Sequence, residues 1–127
     1  MGKNQTFLSE PEETHHGKYR HLRVVITDAD ENRDYLVVSI TTWHEELPGQ
    51  DDSCILSAGC HPFITHKSWV DYSRSRVMNY MEIFNGIQKG LLIRKEDMPV
   101  AVIALIQEGA EKTDFLPEEF RRFFDYF

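Results

Sequence analysis

The sequence predicts a mainly β domain, a small barrel closed by C-terminal helices, and three observations carry that reading. Two runs rich in β-branched residues, Lys18 to Ile26 and Tyr35 to Thr42, flank a stretch of turn formers from Thr27 to Asp34. Further short runs at Ser53 to Leu56, Ser68 to Tyr72 and Val77 to Phe84 follow at close spacing, which favours a barrel over a parallel sheet. After Gly90 the apolar residues recur with the period of a helix.

Taken in order, residues 1–16 mix polar residues with one proline and the His15-His16 pair. They show no sustained period and read as a flexible arm ahead of a single domain, residues 17–127. Lys18 to Ile26 and Tyr35 to Thr42 pair as a hairpin. Glu45 to Asp52 is a loop by its Pro48-Gly49 pair and its charges. A strand over Ser53 to Leu56 turns at Ser57 to Gly59, and His61 to Thr65 reads as an edge segment because Pro62 cannot donate to a ladder. The strand over Val77 to Phe84 ends in a turn at Asn85-Gly86. Asp97 reads as an N-cap with Pro99 in the first turn, and Val100, Ile103, Ala104 and Ile106 form a helical stripe that Gly109 stops. Thr113 to Pro117 opens a shorter helix with Leu116, Phe120, Phe123 and Phe124 along one face.

Composition bounds the function. At 127 residues and 41% hydrophobic content, the chain suits one domain with its own core. Its longest apolar run, Val100 to Ile106, is too short to span a bilayer, and the N-terminus lacks the apolar core of a secretory signal. No membrane association is expected, and the cytoplasm is the expected location, with Cys54 and Cys60 as reduced thiols. The formal charge of −7, from 21 acidic and 14 basic residues, opposes any general attraction to nucleic acid. An RNA contact therefore requires a local basic surface.

The candidate chemistry lies in the β part. All six histidines fall at or before residue 66, and histidine is the side chain best suited to proton transfer near neutral pH, although each reads equally as a packing or surface residue. Cys54, Cys60, His61 and His66 have the residue types of a zinc site, but their spacing matches none of the compact finger patterns, and no metal or other cofactor is expected. Cys60 lacks any nucleophile signature, and Cys54 reads as a small core residue alternating with Leu56. Phosphate-loop, metalloprotease and nucleophile-elbow motifs are absent from the sequence. Thr41-Thr42-Trp43-His44 closes the second strand of the hairpin. A hydroxyl there could bind a phosphate oxygen and an exposed Trp43 could stack on a base, while β-propensity and core packing explain the same residues. Arg74 and Arg76, two apart, share a face of a strand as a phosphate-binding stripe or a solvated surface.

The order of these parts resembles that of the MazF/PemK-like toxins, small SH3-like barrels (the CcdB-like fold) that cut single-stranded RNA without a metal. The resemblance rests on His21-Leu-Arg-Val-Val-Ile26, where that family has Arg-Pro before an apolar strand, and on Val37-Val-Ser-Ile-Thr-Thr42, where it has a strand ending in Ile-Thr. Lys89-Gly90 before a helix, and a closing helix, extend it over roughly residues 18–127. It implies that Thr41 takes the place of the family's catalytic threonine and His21 that of its catalytic arginine, with Leu22 at the following proline. A histidine there can serve as acid or base but supplies no permanent guanidinium.

The implied reaction is attack of a 2′-hydroxyl on the adjacent phosphorus. The expected catalytic residues are His21 and His61 as acid and base in either order, and Thr41 at the phosphate, with Arg23 or Arg74 as charge stabiliser. Arg20, Arg23, Thr42, His66, Arg74 and Arg76 form the expected substrate-binding set. The implied partners are single-stranded RNA, a protein antitoxin and a second copy of the chain. The alternative is a non-catalytic binding module of a mobile genetic element, the same barrel retained for docking protein or nucleic acid after loss of the arginine.

Overall fold

A computed structural model describes residues 2–14 and 16–127; His15 of the His15-His16 pair lies outside the described residues. The chain forms one curled, antiparallel, half-barrel sheet with a few helices. Eight strands form in chain order: β1 (Thr6–Leu8), β2 (Glu12–Thr14), β3 (Gly17–Tyr19), β4 (Leu22–Val25), β5 (Asp34–Thr42), β6 (Ile55–Leu56), β7 (Ser68–Asn79) and β8 (Ile93–Lys95). Six of them make the main sheet in the order β6-β7-β5-β4-β1-β8, while β2 and β3 form a separate hairpin. The helices are α1 (Tyr80–Gln88), α2 (Val100–Lys112) and a C-terminal 3-10 helix (Glu118–Tyr126). Among the described residues no helix is long and apolar enough to cross a membrane.

The two faces of the sheet are built from alternate residues of the same strands. Leu22 and Val24 of β4, Leu36, Val38 and Ile40 of β5, and Val70 and Tyr72 of β7 turn to one face. There they pack with Ile103, Ile106 and Ala110 of α2 and Phe123 of the 3-10 helix. Val25, Tyr35, Val37 and Met78 turn to the other, where Ile83 of α1 covers them with Phe7 and Leu92. This second core is small, so α1 shields only one end of its face. The remainder carries the polar residues of the site.

The expected hairpin forms, with Leu22 opposite Ile40 and Val25 opposite Val37. Its turn is held by Asp30, whose Oδ1 accepts the Asn32 and Asp34 amides at 2.9 Å and whose Oδ2 accepts Arg122 Nη1 at 2.9 Å. Several expectations differ. Lys18 to Ile26 is split between β3 and β4, and the runs at Ser68 to Tyr72 and from Val77 belong to one strand, β7. Residues 6–8 are not part of an arm but a buried strand between β4 and β8, and residues 12–14 pair with β3. The run after Val77 stays extended only to Asn79, whose side chain accepts the Met81 amide and caps α1, so Asn85-Gly86 lies within a helix. Asp97 pairs with Arg94 rather than capping α2, which starts behind Pro99. Gly109 does not stop α2 but lets it sit against the sheet: a Cβ there would meet the Tyr72 hydroxyl and lie 2.8 Å from Cys54 Cβ.

That close approach makes Gly109→Ala a test of the packing. Alanine raises helix propensity by about 1 kcal/mol, but overpacking against Tyr72 and Cys54 costs about 1–3 kcal/mol. Urea denaturation should show net destabilisation; a stabilised variant would contradict the contact.

Candidate functional site

The uncovered part of the sheet face bears a charge where apolar packing would otherwise continue. Arg23, Ser39 and Asp71 are register neighbours on β4, β5 and β7 and share this face, with His21 and Thr41 extending it at the strand ends. Arg23 is only 4% exposed. A buried guanidinium requires partners for its fork. It finds them in the Arg74 carbonyl, at 2.6 Å from Nη1, and in both Glu12 oxygens, at 3.2 and 3.4 Å from Nη2. The Arg74 carbonyl is available because β7 bulges: Val37 pairs with Arg76 and Ser39 with Asp71, so residues 72–75 stand opposite Val38.

Glu12 is the hub of this cluster. Besides Arg23, its carboxylate lies 3.6 Å from Arg74 Nη1 and 3.8 Å from His21 Nδ1. Arg74 also reaches Asp71 Oδ2 at 3.4 Å. Burial opposes ionisation of Glu12, but the Ser9 hydroxyl, Arg23 and His21 outweigh it and hold its pKa below the ordinary carboxylate value. Burial pulls the His21 pKa below the usual imidazole value; Arg74 and Arg23 add to that fall, while Glu12 and Asp71 oppose it. The ring is therefore neutral at pH 7. His21 Nδ1 is buried with no hydrogen-bond partner, and Glu12 is its nearest anion. The tautomer with Nδ1–H towards Glu12 leaves the Nε2 lone pair for solvent, the state of a general base.

Backbone bonds hold the main chain of His21 in place. The His21 amide donates to Ser9 Oγ at 3.0 Å, and the Ser9 amide donates to the His21 carbonyl at 2.8 Å. In front of it runs a groove with two lobes of about 610 and 460 Å³ that share Thr14, His16, His21, Thr41, Thr42 and His44. The His16 and His44 rings are 5.2 Å apart, and the Gln50 side chain clamps the His44 backbone, accepting its amide at 2.9 Å and donating to its carbonyl at 2.6 Å.

The structure thus brings His21, Thr41, Thr42, Arg20 and His66 to one groove, with Arg74 on its smaller lobe. It separates others. Arg76 faces a different cavity and pairs with Glu82 at 3.1 Å, and Arg23 is spent on Glu12 and the bulge. Trp43 is half-buried, with Lys67 Nζ 5.2 Å from its ring centroid, and lines neither lobe.

His61 requires a correction. It is 1% exposed and borders neither lobe. Its Nδ1 accepts the Phe63 amide at 3.0 Å and its Nε2 donates to the Glu96 carbonyl at 2.6 Å, so both nitrogens are committed to the backbone. Glu96 follows β8 and His61 follows β6, the two edge strands, so this side chain ties the open edges of the half-barrel together. A buried group with both nitrogens engaged cannot exchange protons with a substrate.

Sequence reasoning missed Glu12 and Asp71, and named His44 only within the Thr41-Thr42-Trp43-His44 cluster, without a role of its own. Glu12 was hidden because a three-residue strand shows no period. The signal that could have found it is Gly17, which with a φ of 112° opens the returning strand of the short hairpin that pairs Glu12 with Tyr19. Cys54 and Cys60 are free thiols, and burial raises the Cys54 pKa to about 11, which makes it inert. Among the described residues no group of three or more His, Cys, Asp or Glu side chains is arranged to hold a metal ion. Compared with protein-family models, curated proteins and solved structures, the chain matches none.

Two outcomes check this site without any assay of activity. NMR titration of the His21 ring should give a pKa below the ordinary imidazole value; Glu12→Gln should lower it further by removing an anion, and Arg74→Met should raise it by removing a cation. An unshifted ring in both variants would remove Glu12 and Arg74 from its surroundings. His61→Ala should destabilise the fold by about 2–4 kcal/mol in urea, through a cavity and an orphaned amide and carbonyl, and leave the His21 titration in place.

Proposed function

We propose that the protein is a metal-independent endoribonuclease acting on single-stranded RNA, a divergent relative of the MazF/PemK-like toxins whose half-barrel sheet is an SH3-like barrel. The observation that carries this reading is the Glu12–His21 pair: a neutral imidazole, backed by a carboxylate and flanked by guanidinium groups, opening on a groove that also holds Thr41 and His44. On this reading His21 Nε2 takes the 2′-hydroxyl proton, the oxygen attacks phosphorus, and the 5′-oxygen leaves with a proton from His44. Arg74 opposes the charge that builds on the phosphoryl oxygens, and Thr41 Oγ1 donates to one of them. The products are a 2′,3′-cyclic phosphate and a 5′-hydroxyl.

His44 takes the second proton-transfer role expected of His61. His21 at the family's arginine position then ceases to be a deficiency, because Arg74 supplies a guanidinium from β7. A protein antitoxin and a second copy of the chain are the partners this reading implies.

The test is mixed-sequence single-stranded RNA with EDTA, using protein purified free of other nucleases, with the new ends mapped. Cleavage should leave 5′-hydroxyl ends and fall by about 100-fold or more in His21→Ala and in His44→Ala. Intact RNA at high protein concentration would overturn the catalytic reading; RNA that binds uncut would instead fit the non-catalytic module.

A further inference from the structure

The larger lobe of the groove differs from the smaller one in a way that catalysis does not require. Two large aromatic rings line it while exposed to solvent, Tyr19 at 54% and Phe63 at 44%. The smaller lobe has charged and polar walls, including Glu13, Gln50, Asp71 and Arg74, and its one large ring, Trp69, is buried.

The backbone that presents Phe63 is tied down. Its amide is held by His61 Nδ1 at 3.0 Å, the next amide, Ile64, donates to the His61 carbonyl at 2.9 Å, and Gly59 donates to the Ile64 carbonyl at 2.7 Å. With His61 anchored on Glu96, these bonds hold the backbone that carries the exposed Phe63 ring. Lys95 Nζ lies 5.8 Å from the Phe63 centroid, placing a cation beside the same surface. Arg20 is fixed too, since its Nη1 donates to the Ser9 carbonyl at 3.1 Å and the Leu91 carbonyl at 2.9 Å. Its other donors keep their hydrogen-bonding capacity on the lobe wall. Thr65 and His66 add short polar groups on that wall.

Exposed rings with a few donors at their edge suit a flat, aromatic, hydrogen-bonding ligand. An unpaired nucleobase is such a ligand, and a lobe of about 610 Å³ has room for one with its ribose. Stacking accepts any base, whereas the polar edge distinguishes among them. We propose that this lobe is a nucleobase subsite: a base of single-stranded RNA stacks on Phe63 and Tyr19, presents its polar edge to Arg20, Thr65 and His66, and so sets which nucleotide lies beside the bond facing His21. The inference rests on the RNA reading above and adds to it a base preference in cleavage and the residues that set it.

The experiment uses the intact chain and the four nucleoside 5′-monophosphates, with ribose 5-phosphate as the ligand lacking a base, titrated by calorimetry. At least one nucleotide should bind roughly tenfold or more tightly than ribose 5-phosphate, and Phe63→Leu or Tyr19→Leu should each cost it about tenfold. Phe115→Leu, at an exposed ring outside the groove, should cost nothing. Both target rings are exposed, so the variants should fold, which circular dichroism checks. In parallel, mapped RNA ends should show a base preference that flattens in Phe63→Leu. Ribose 5-phosphate binding as tightly as every nucleotide, or a Phe63→Leu variant indistinguishable from wild type, would overturn the subsite. Nucleotide discrimination without RNA cleavage would keep the subsite and remove the catalytic reading; cleavage without base preference or nucleotide discrimination would do the reverse.

Discussion

A guanidinium buried in the middle of a sheet constrains everything around it. Arg23 occupies a β4 position with apolar Phe7 and Val25 on one side and polar Ser39 and His21 on the other, and its buried charge is tolerable there only with a carboxylate and a carbonyl in contact. Glu12 supplies the first and ties the β2–β3 hairpin to the main sheet. The second comes from Arg74 through the β7 bulge, which turns that residue's side chain towards the groove. Removing Arg23 from this arrangement would leave Glu12 with Arg74 as its guanidinium partner, whereas removing Glu12 would leave Arg23 buried without a counter-charge. The pair thus couples the shape of the hairpin, the shape of the bulge and the surroundings of His21.

His21 and His61 show how burial divides one residue type between two tasks. His61 has lost contact with solvent, and its nitrogens serve as one acceptor and one donor to the backbone. His21 is also largely buried, but only Nδ1 is turned inward, towards Glu12. The difference follows from where each ring meets the sheet: His61 lies between the edge strands, His21 at the rim of a face that α1 leaves open. His61 remains connected to the groove through Phe63, whose backbone amide it accepts.

The charge of the chain is compatible with the anionic ligand proposed above on the same grounds. A total of −7 describes the whole surface, yet Arg20, Arg74 and the four histidines His16, His21, His44 and His66 line the groove beside the acids Glu13 and Asp71. Over distances beyond about 10 Å ordinary salt screens the remaining acids. Local composition, rather than net charge, governs what approaches the site.

The sequence by itself determined the β4–β5 hairpin, the helical stripe of α2 and the aromatic face of the closing segment, because each is encoded in a local apolar period or in turn formers. It also placed His21 and Thr41 at neighbouring strand ends, since both belong to that hairpin. Tertiary structure alone decided the rest. β1 is too short to show a period and is a strand only because β4 and β8 flank it. Gly86 and Gly109 read as turn and stop signals, but each sits inside a helix where a side chain would collide with Leu92 or with Tyr72 and Cys54. The carboxylate and carbonyl that Arg23 meets, and the Glu96 carbonyl that His61 meets, lie 11 to 51 residues away along the chain, and no local pattern encodes which distant carboxylate or carbonyl a buried polar group will meet. That pairing is fixed by the curl of the sheet, which set Glu12 behind His21 and withdrew His61 from the groove.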